Sequence, residues 1–375
     1  MKRKIKFIIV ALMVLGFAGV AIYFGISLFN KNEVYTDYEV LVSVDRNDSQ
    51  NAEYCKFGDG FLRYSRDGIA YYGSDMIPQW NNAYQLQTPI IDICGEYCAV
   101  ASAGGSQLYV FNKEGAVMSV DTALAIITVS VSAKGYVAVI LEDTDVEYIA
   151  MYDTAGEKVY NIKTFIKGKG TPTDISISDD GAKLAVAYTT IGDLGINTSV
   201  IFYNFGEVGK NESERLVGGF DQYEGMLIPH IQFVNEDTMV AFATEKVSIY
   251  KISQYPELIT DIIPEMEIHS VFYSDKYIAL IYAGYSQENP YNILGYDLKG
   301  TNVFNHGIDK AYKSYEFADN NILMYDDNKA LLVDFNGKTR FEYEFDIAVD
   351  ALINIEGDDV YSYINSRKIQ KIKLK

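Results

Sequence analysis

Short apolar runs rich in Val, Ile, Tyr and Phe follow one another along most of this chain, each cut by Gly, Asp or Asn. Runs of this kind between turn residues predict short strands and tight turns. Abundant Tyr (31) and scarce Pro (7) suit sheet as well. Past Asn30 no convincing amphipathic helix interrupts the pattern.

The runs repeat. One recurring unit is an apolar strand ending in an aromatic residue, then a polar turn, often with Gly four positions on. It occurs at Tyr72, Phe111, Tyr152, Tyr203, Tyr250 and Tyr296, and with Val for the aromatic at Val333, in steps of 39, 41, 51, 47, 46 and 37 residues. A small-residue strand precedes most of these units: Cys98–Ala101, Val137–Ile140, Leu184–Ala187, Met239–Phe242, Ile278–Ile281. Four strands in about 40 residues is the period of a β-propeller, and small side chains suit its crowded inner strands. The pattern predicts an all-β fold. It is a single β-propeller with blades near 53–84, 90–120, 127–161, 173–218, 228–263, 268–305, 312–343 and 347–374. The last stretch holds only three strands. The alternating segment Tyr38–Val44 has no partner of its own and completes that blade, removing an open edge. The expectation is eight four-stranded blades over 38–375, with seven as the alternative.

The segment Asp174–Ala187 resembles the Ser-x-Asp-Gly-x-x-Leu-Ala signature of TolB-type and WD40-like bacterial propellers. Gly68-Ile-Ala-Tyr-Tyr72 with Gln79-Trp80 resembles the outer hairpin of quinoprotein-like propellers. As a whole the chain resembles an uncharacterised family of membrane-anchored propellers of Gram-positive bacteria. These motifs are structural, and the resemblance carries over no catalytic residue. Quinone-binding propellers repeat a Trp, whereas Trp80 is alone here, so no quinone or other cofactor is expected.

The first residues add a second element. Phe7 to Phe29 is 23 residues without a charge, about 34 Å as a helix and enough to span a bilayer core of about 30 Å. Lys2, Arg3, Lys4 and Lys6 precede it, which places that end in the cytoplasm. A cleaved signal peptide would have a shorter apolar stretch and a small-residue site, where this one ends in Leu28-Phe29. The expected organisation is a cytoplasmic tail (1–6), a transmembrane helix (7–29), a linker (30–37) and an extracellular propeller anchored in the cell membrane.

Charge narrows the partners. Without the four N-terminal cations, 28 Lys+Arg face 51 Asp+Glu, near −23. Such a surface repels nucleic acid and anionic lipid and suits a cationic ligand or basic partner. Three cysteines are too few for a disulfide scaffold. Cys94 and Cys98 flank a hairpin turn, where paired core thiols or a cross-strand disulfide are both open.

Catalytic signatures are scarce. His230, His269 and His306 form no zinc-binding spacing, and there is no Gly-x-Ser-x-Gly elbow or phosphate loop. Glu142, Asp143, Asp145 and Glu147 are the one weak metal candidate, without the spacing of a calcium-binding loop. Carboxylate pairs could run glycoside hydrolysis, but no pair stands out. The longer connections, 82–89, 163–172, 218–229, 102–107, 189–199 and 283–291, all fall on one side of a propeller. Loops on a rigid scaffold usually carry binding. Tyr84, Asp193, Tyr223, Tyr285 and Tyr291 are the ligand-face candidates there. The sequence therefore predicts a binding or scaffold module for a protein, peptide or glycan at the cell envelope. The alternative is a glycan hydrolase or lyase. Paired carboxylates of raised pKa in the funnel would mark the enzyme; Tyr and backbone groups would mark a binding site.

Overall fold

The structure is a computed structural model describing residues 33–47, 51–144, 146–164, 170–192, 195–284, 286–287 and 289–375. The expected transmembrane segment 7–29 lies outside the described residues. Among the described residues no helix is long and apolar enough to cross a membrane.

Eight four-stranded antiparallel sheets make up the ring. Blade one spans Glu53–Ala83, two Pro89–Asp121, three Ala125–Thr164 and four Thr171–Glu224. Blade five spans His230–Ile262, six Ile268–Ile308, seven Ser314–Glu344, and eight Val349–Leu374 plus Tyr38–Asp45. Strands within a blade are lettered a to d from the axis outward. Inner strands of neighbouring blades approach one another around the axis.

Closure is as the strand count demands. Tyr38–Asp45 is strand d of blade eight and pairs antiparallel with the last strand, from Tyr38 opposite Leu374 to Asp45 opposite Lys368. The Tyr38 ring lies 5.1 Å from Tyr343 of blade seven and 6.3 Å from Tyr363 of blade eight, so it grips both. Residues before it run along blade seven. Tyr35 bridges Phe341, and the Arg340 guanidinium donates to the Glu33 carbonyl. Thr36 N–H bonds the Lys375 carbonyl at 2.7 Å.

Each seam between blades holds one hydrophobic cluster, eight in all among the described residues. The small-residue runs are strands b. Ala99, Val100 and Ala101, like Ala185, Val186 and Ala187, are fully buried. Small side chains let one blade pack closely on the next, so stability is spread over repeated interfaces.

Strand a has one edge without a sheet partner, so its N–H groups need acceptors. The preceding blade supplies them. Val131 N–H donates to Asp92 Oδ2 (2.6 Å), Ile177 N–H to Ser130 Oγ (3.2 Å) and Phe233 N–H to Ser176 Oγ (2.8 Å). Asn354 N–H reaches Glu316 Oε1 at 3.5 Å. This explains the polar–apolar alternation of the inner strands.

The alternating strand directions define two faces. The d–a and b–c connections form an upper face, the a–b and c–d turns a lower one. Four c–d turns share one device: Asn112, Asp153, Asp297 or Asp334 accepts two N–H bonds on its Oδ1. Three residues on stands Gly115, Gly156, Gly300 or Gly337, each with positive φ. An Asx cap with a left-handed glycine closes the hairpin locally.

Two expectations about loops are corrected. Segment 189–199 is the end of a long hairpin, Lys183–Gly192 paired with Gly195–Asn204, because its alternating residues continue the ladder. The largest excursion within a blade is on the lower face, at 205–215, where two 3₁₀ turns intervene before Leu216. The thiols are free. The two-residue turn sets Cys94 opposite Tyr97 and Cys98 opposite Ile93, so the hairpin does not bring the two sulfurs face to face.

Candidate functional site

The upper face is built on the ends of strands already fixed by the seams. Its candidates divide sharply. Tyr223 lies inside strand d of blade four, Leu216–Glu224, and is 0% exposed. Its hydroxyl bonds that of Tyr250, and Lys246 Nζ sits 4.6 Å from its ring centre. Tyr84 is 6% exposed and stacks on Tyr109 at 5.5 Å. The expected exposure of these two is corrected: strand d of blade four runs on past Tyr223, the connection after Ala83 folds Tyr84 inward, and both rings fill seams. Tyr291, the first residue of its strand, is half-buried, 5.2 Å from His269. Asp193 and Tyr285 lie outside the described residues.

In the acidic hairpin of blade three, Glu142 and Asp143 are exposed, whereas Glu147, opposite Glu142, is buried with Oε2 unpartnered. Asp145 lies outside the described residues. Among the described residues no group of three or more His, Cys, Asp or Glu side chains could hold a metal ion. Trp80 stacks on Phe111 at 5.4 Å and donates to the Lys113 carbonyl at 2.9 Å, so it ties blade one to blade two.

Sequence reasoning passed over a polar chain where blades four, five and six meet near the axis. Asp174 Oδ2 accepts from Ile231 N–H at 2.8 Å and from His230 Nδ1 at 3.0 Å. A carboxylate only accepts, so Nδ1 carries the hydrogen. In the neutral ring Nε2 then accepts from the Tyr273 hydroxyl at 3.0 Å. That hydroxyl also lies 3.3 Å from Gln232 Oε1. The His230, Phe242 and Tyr273 rings stack at 5.5 to 5.8 Å. His230 begins its strand, on the side of the upper face. Tyr273 is 37% exposed, yet the protein packed around its ring, with Asp92 and Asp174, pushes the phenol up, so it is a hydrogen-bond donor. The signal was in the inner strands: Asp174-Ile-Ser-Ile and His230-Ile-Gln-Phe alternate polar and apolar.

Carboxyls of raised pKa do occur near the axis. Burial pushes Asp92 up, and it pushes Glu316 up to about 7. Each caps a backbone N–H of the next blade, in the slot that Ser130 and Ser176 fill elsewhere. No carboxylate is among the groups that shift Glu316. A touching pair, Asp319 and Asp358, sits at lower-face turns beside Arg340. Carboxyls in hydrogen-bond contact are closer than the roughly 5 Å that glycoside hydrolysis needs.

Two hollows open on the upper face. One, about 460 Å³, lies between blades one and two and is lined by Glu53, Tyr64, Arg66 and Asp67. The other, about 480 Å³, lies at the b–c loop of blade six, against Ser286, Gln287 and Tyr291.

Known structures share the ring. The chain is similar to BamB from Moraxella catarrhalis, at 12% identity over 90% of this chain and 100% of that one, with TM-score 0.54. It is also similar to a eukaryotic initiation factor, at 14% identity over 90% of this chain and 87% of that one, with TM-score 0.55. At such identity the likeness is one of fold. No curated protein sequence matches the chain. Residues 31–374 match the family of unknown function DUF5711, and the chain belongs to that family.

Proposed function

We propose that this propeller is a membrane-anchored, extracytoplasmic binding module that presents its upper face to a protein, peptide or glycan partner. One observation carries the reading. The pairing of Tyr38–Asp45 with the last strand leaves residue 33 and Lys375 together on the lower face. A tether leading from residue 33 toward an anchor at 7–29 therefore holds the lower face toward the membrane. The upper face, with its two hollows and the axial Asp174–His230–Tyr273 chain, is turned outward. The acidic surface favours a basic partner over nucleic acid.

Topology is tested by adding protease to intact protoplasts. The domain is digested and a short anchored stub survives; protection of the whole chain overturns the anchored, outward orientation. The face is tested by proximity labelling from a tag after Lys375, followed by capture of the labelled partner with variants. Gln287→Glu with Tyr291→Ala abolishes capture, while charge reversal at Lys113 and Lys338 leaves it intact. The opposite result puts the binding surface on the lower face.

A further inference from the structure

The seam between blades five and six holds a cavity of about 350 Å³ that none of the sequence candidates touches. That volume falls in the range of small-molecule sites. Its floor is one face of the blade-six sheet. Asn292, Leu294 and Tyr296 alternate along strand c, Tyr291–Asp297, and so share that face. Tyr282 stands opposite Asn292 on strand b, and Asn305 opposite Leu294 on strand d. The connection Ile263–Met266 of blade five forms the other wall.

Two polar atoms here are orphans. Tyr282 and Asn292 are each 1% exposed, and Tyr282 Oη and Asn292 Oδ1 have no hydrogen-bond partner among the described residues. Buried polar groups are almost always satisfied, so a pair of orphans on adjacent strands of one cavity wall points to an absent guest. Burial and the Tyr296 hydroxyl, which the Tyr282 hydrogen reaches only in poorer geometry than a normal hydrogen bond, push the Tyr282 phenol up, so it keeps its hydrogen and can turn it to a guest that offers a better acceptor. Asn292 Oδ1 needs a donor. The two are cross-strand neighbours, and a single alcohol oxygen can accept from one and donate to the other.

The other lining groups extend the match. Asn302 spends its amide hydrogens on the Gly295 and Phe304 carbonyls, both at 3.1 Å, which leaves Oδ1 as the acceptor it can offer. Glu265 offers two more acceptors, and Leu294, Met266 and the tyrosine rings offer apolar surface. Acceptors around an apolar floor suit a guest with a rim of hydroxyls and flat C–H faces. A carboxylate guest would meet Glu265 and a surface near −23. An ammonium only donates and gives the Tyr282 hydrogen no better acceptor than the Tyr296 hydroxyl.

We infer that this seam pocket binds a neutral sugar unit, with one sugar hydroxyl bridging Tyr282 and Asn292. The inference rests on the binding-module reading and names a glycan subsite within it. The test titrates the full chain, in a sugar-free detergent, with methyl β-glucoside, methyl β-galactoside and N-acetylglucosamine. Glucuronate and glucosamine serve as charged controls. Calorimetry and ligand-observed NMR report binding, with Tyr282→Phe and Asn292→Leu as variants. At least one neutral sugar binds in the millimolar range, each variant weakens it about tenfold or more, and the charged controls fail to bind. Tyr282→Phe leaves the sugar-free melting temperature unchanged or raised, because it removes an orphan. The inference is overturned if no neutral sugar binds at tens of millimolar, or if both variants bind as well as the parent. A fall in melting temperature for Tyr282→Phe also overturns it, since the pocket then holds a structural water. Capture of the labelled partner is measured on the same variants. Capture that persists while sugar binding is absent sinks the sugar site alone, whereas failure of the protoplast and face tests sinks the binding-module reading.

Discussion

The two faces of this ring are made by different rules. On the lower face, four c–d turns repeat one local device, an Asn or Asp cap with a left-handed glycine three residues on. Among the described residues of the upper face the cap-plus-glycine unit does not recur, although Asn365 accepts two N–H bonds in the tight b–c turn of blade eight. The connection at 84–88 buries Tyr84 and Leu86, the b–c turn of blade four extends a hairpin, and that of blade six opens a hollow. The lower face states the period of the fold; the upper face states what differs between blades. The 205–215 excursion is the longest departure from that device, in the blade with the longest span.

The largest effect tests the ring on which both faces depend. A chain starting at Asp45 loses strand d of blade eight, whereas one starting at Asn32 keeps it. The shorter chain should associate through its open edge and lose a cooperative melt, read by gel filtration and calorimetry. Equal melts would refute closure by Tyr38–Asp45. Next comes Tyr223, which lies under the upper face but belongs to the seam. Tyr223→Ala should destabilise by about 3–5 kcal/mol in denaturant melts, as expected for a buried ring. A cost near zero would return Tyr223 to the ligand face.

Glu316 gives a pH test that neither face can mimic. Its folded carboxyl titrates near 7 against an ordinary 4.5, raised by burial. Between those values the folded state holds a proton that the unfolded state has released. Stability therefore falls as pH rises from 4.5 through about 7, and Glu316→Gln removes that part of the slope. A parent slope that survives in the variant assigns it elsewhere. Smaller still is the cap on a lower-face turn: Asp334→Ala should cost about 1 kcal/mol. The smallest is Gln287→Glu on the upper face, at about 0.5 kcal/mol or less. If Gln287→Glu costs as much as Asp334→Ala, the contrast between a structural and a presenting face is lost.

The same contrast explains what the sequence revealed. Blade number, the order of strands and the closing strand were legible because turn residues, small-residue strands and an odd strand are local signals. Blade four ends at Glu224 rather than near 218, because the ladder runs on through a Gly-Gly pair that reads as a turn. Neither Tyr223 nor Tyr84 reads as buried from the sequence, because a tyrosine next to turn-like residues gives no local sign that a neighbouring blade covers it. The axial chain and the seam pocket depend on residues 43 or more positions apart, or on cross-strand register, which composition does not encode. Asp174 stood in the signature motif, but its partner His230 could be named only once blades four and five lay side by side.

The closing strand also fixes how the domain carries load. Tyr38–Asp45 runs from the lower rim toward the upper one, alongside the last strand. A pull between residue 33 and a partner gripping the upper face acts along that strand, not across it. The hydrogen bonds from Tyr38–Leu374 to Asp45–Lys368 are then sheared together rather than unzipped one by one, and the Tyr38 ring must slide past Tyr343 and Tyr363 at the same moment. The strand that ends the ring is thus also its mechanical latch, strongest against a pull directed along it from residue 33 toward the upper rim.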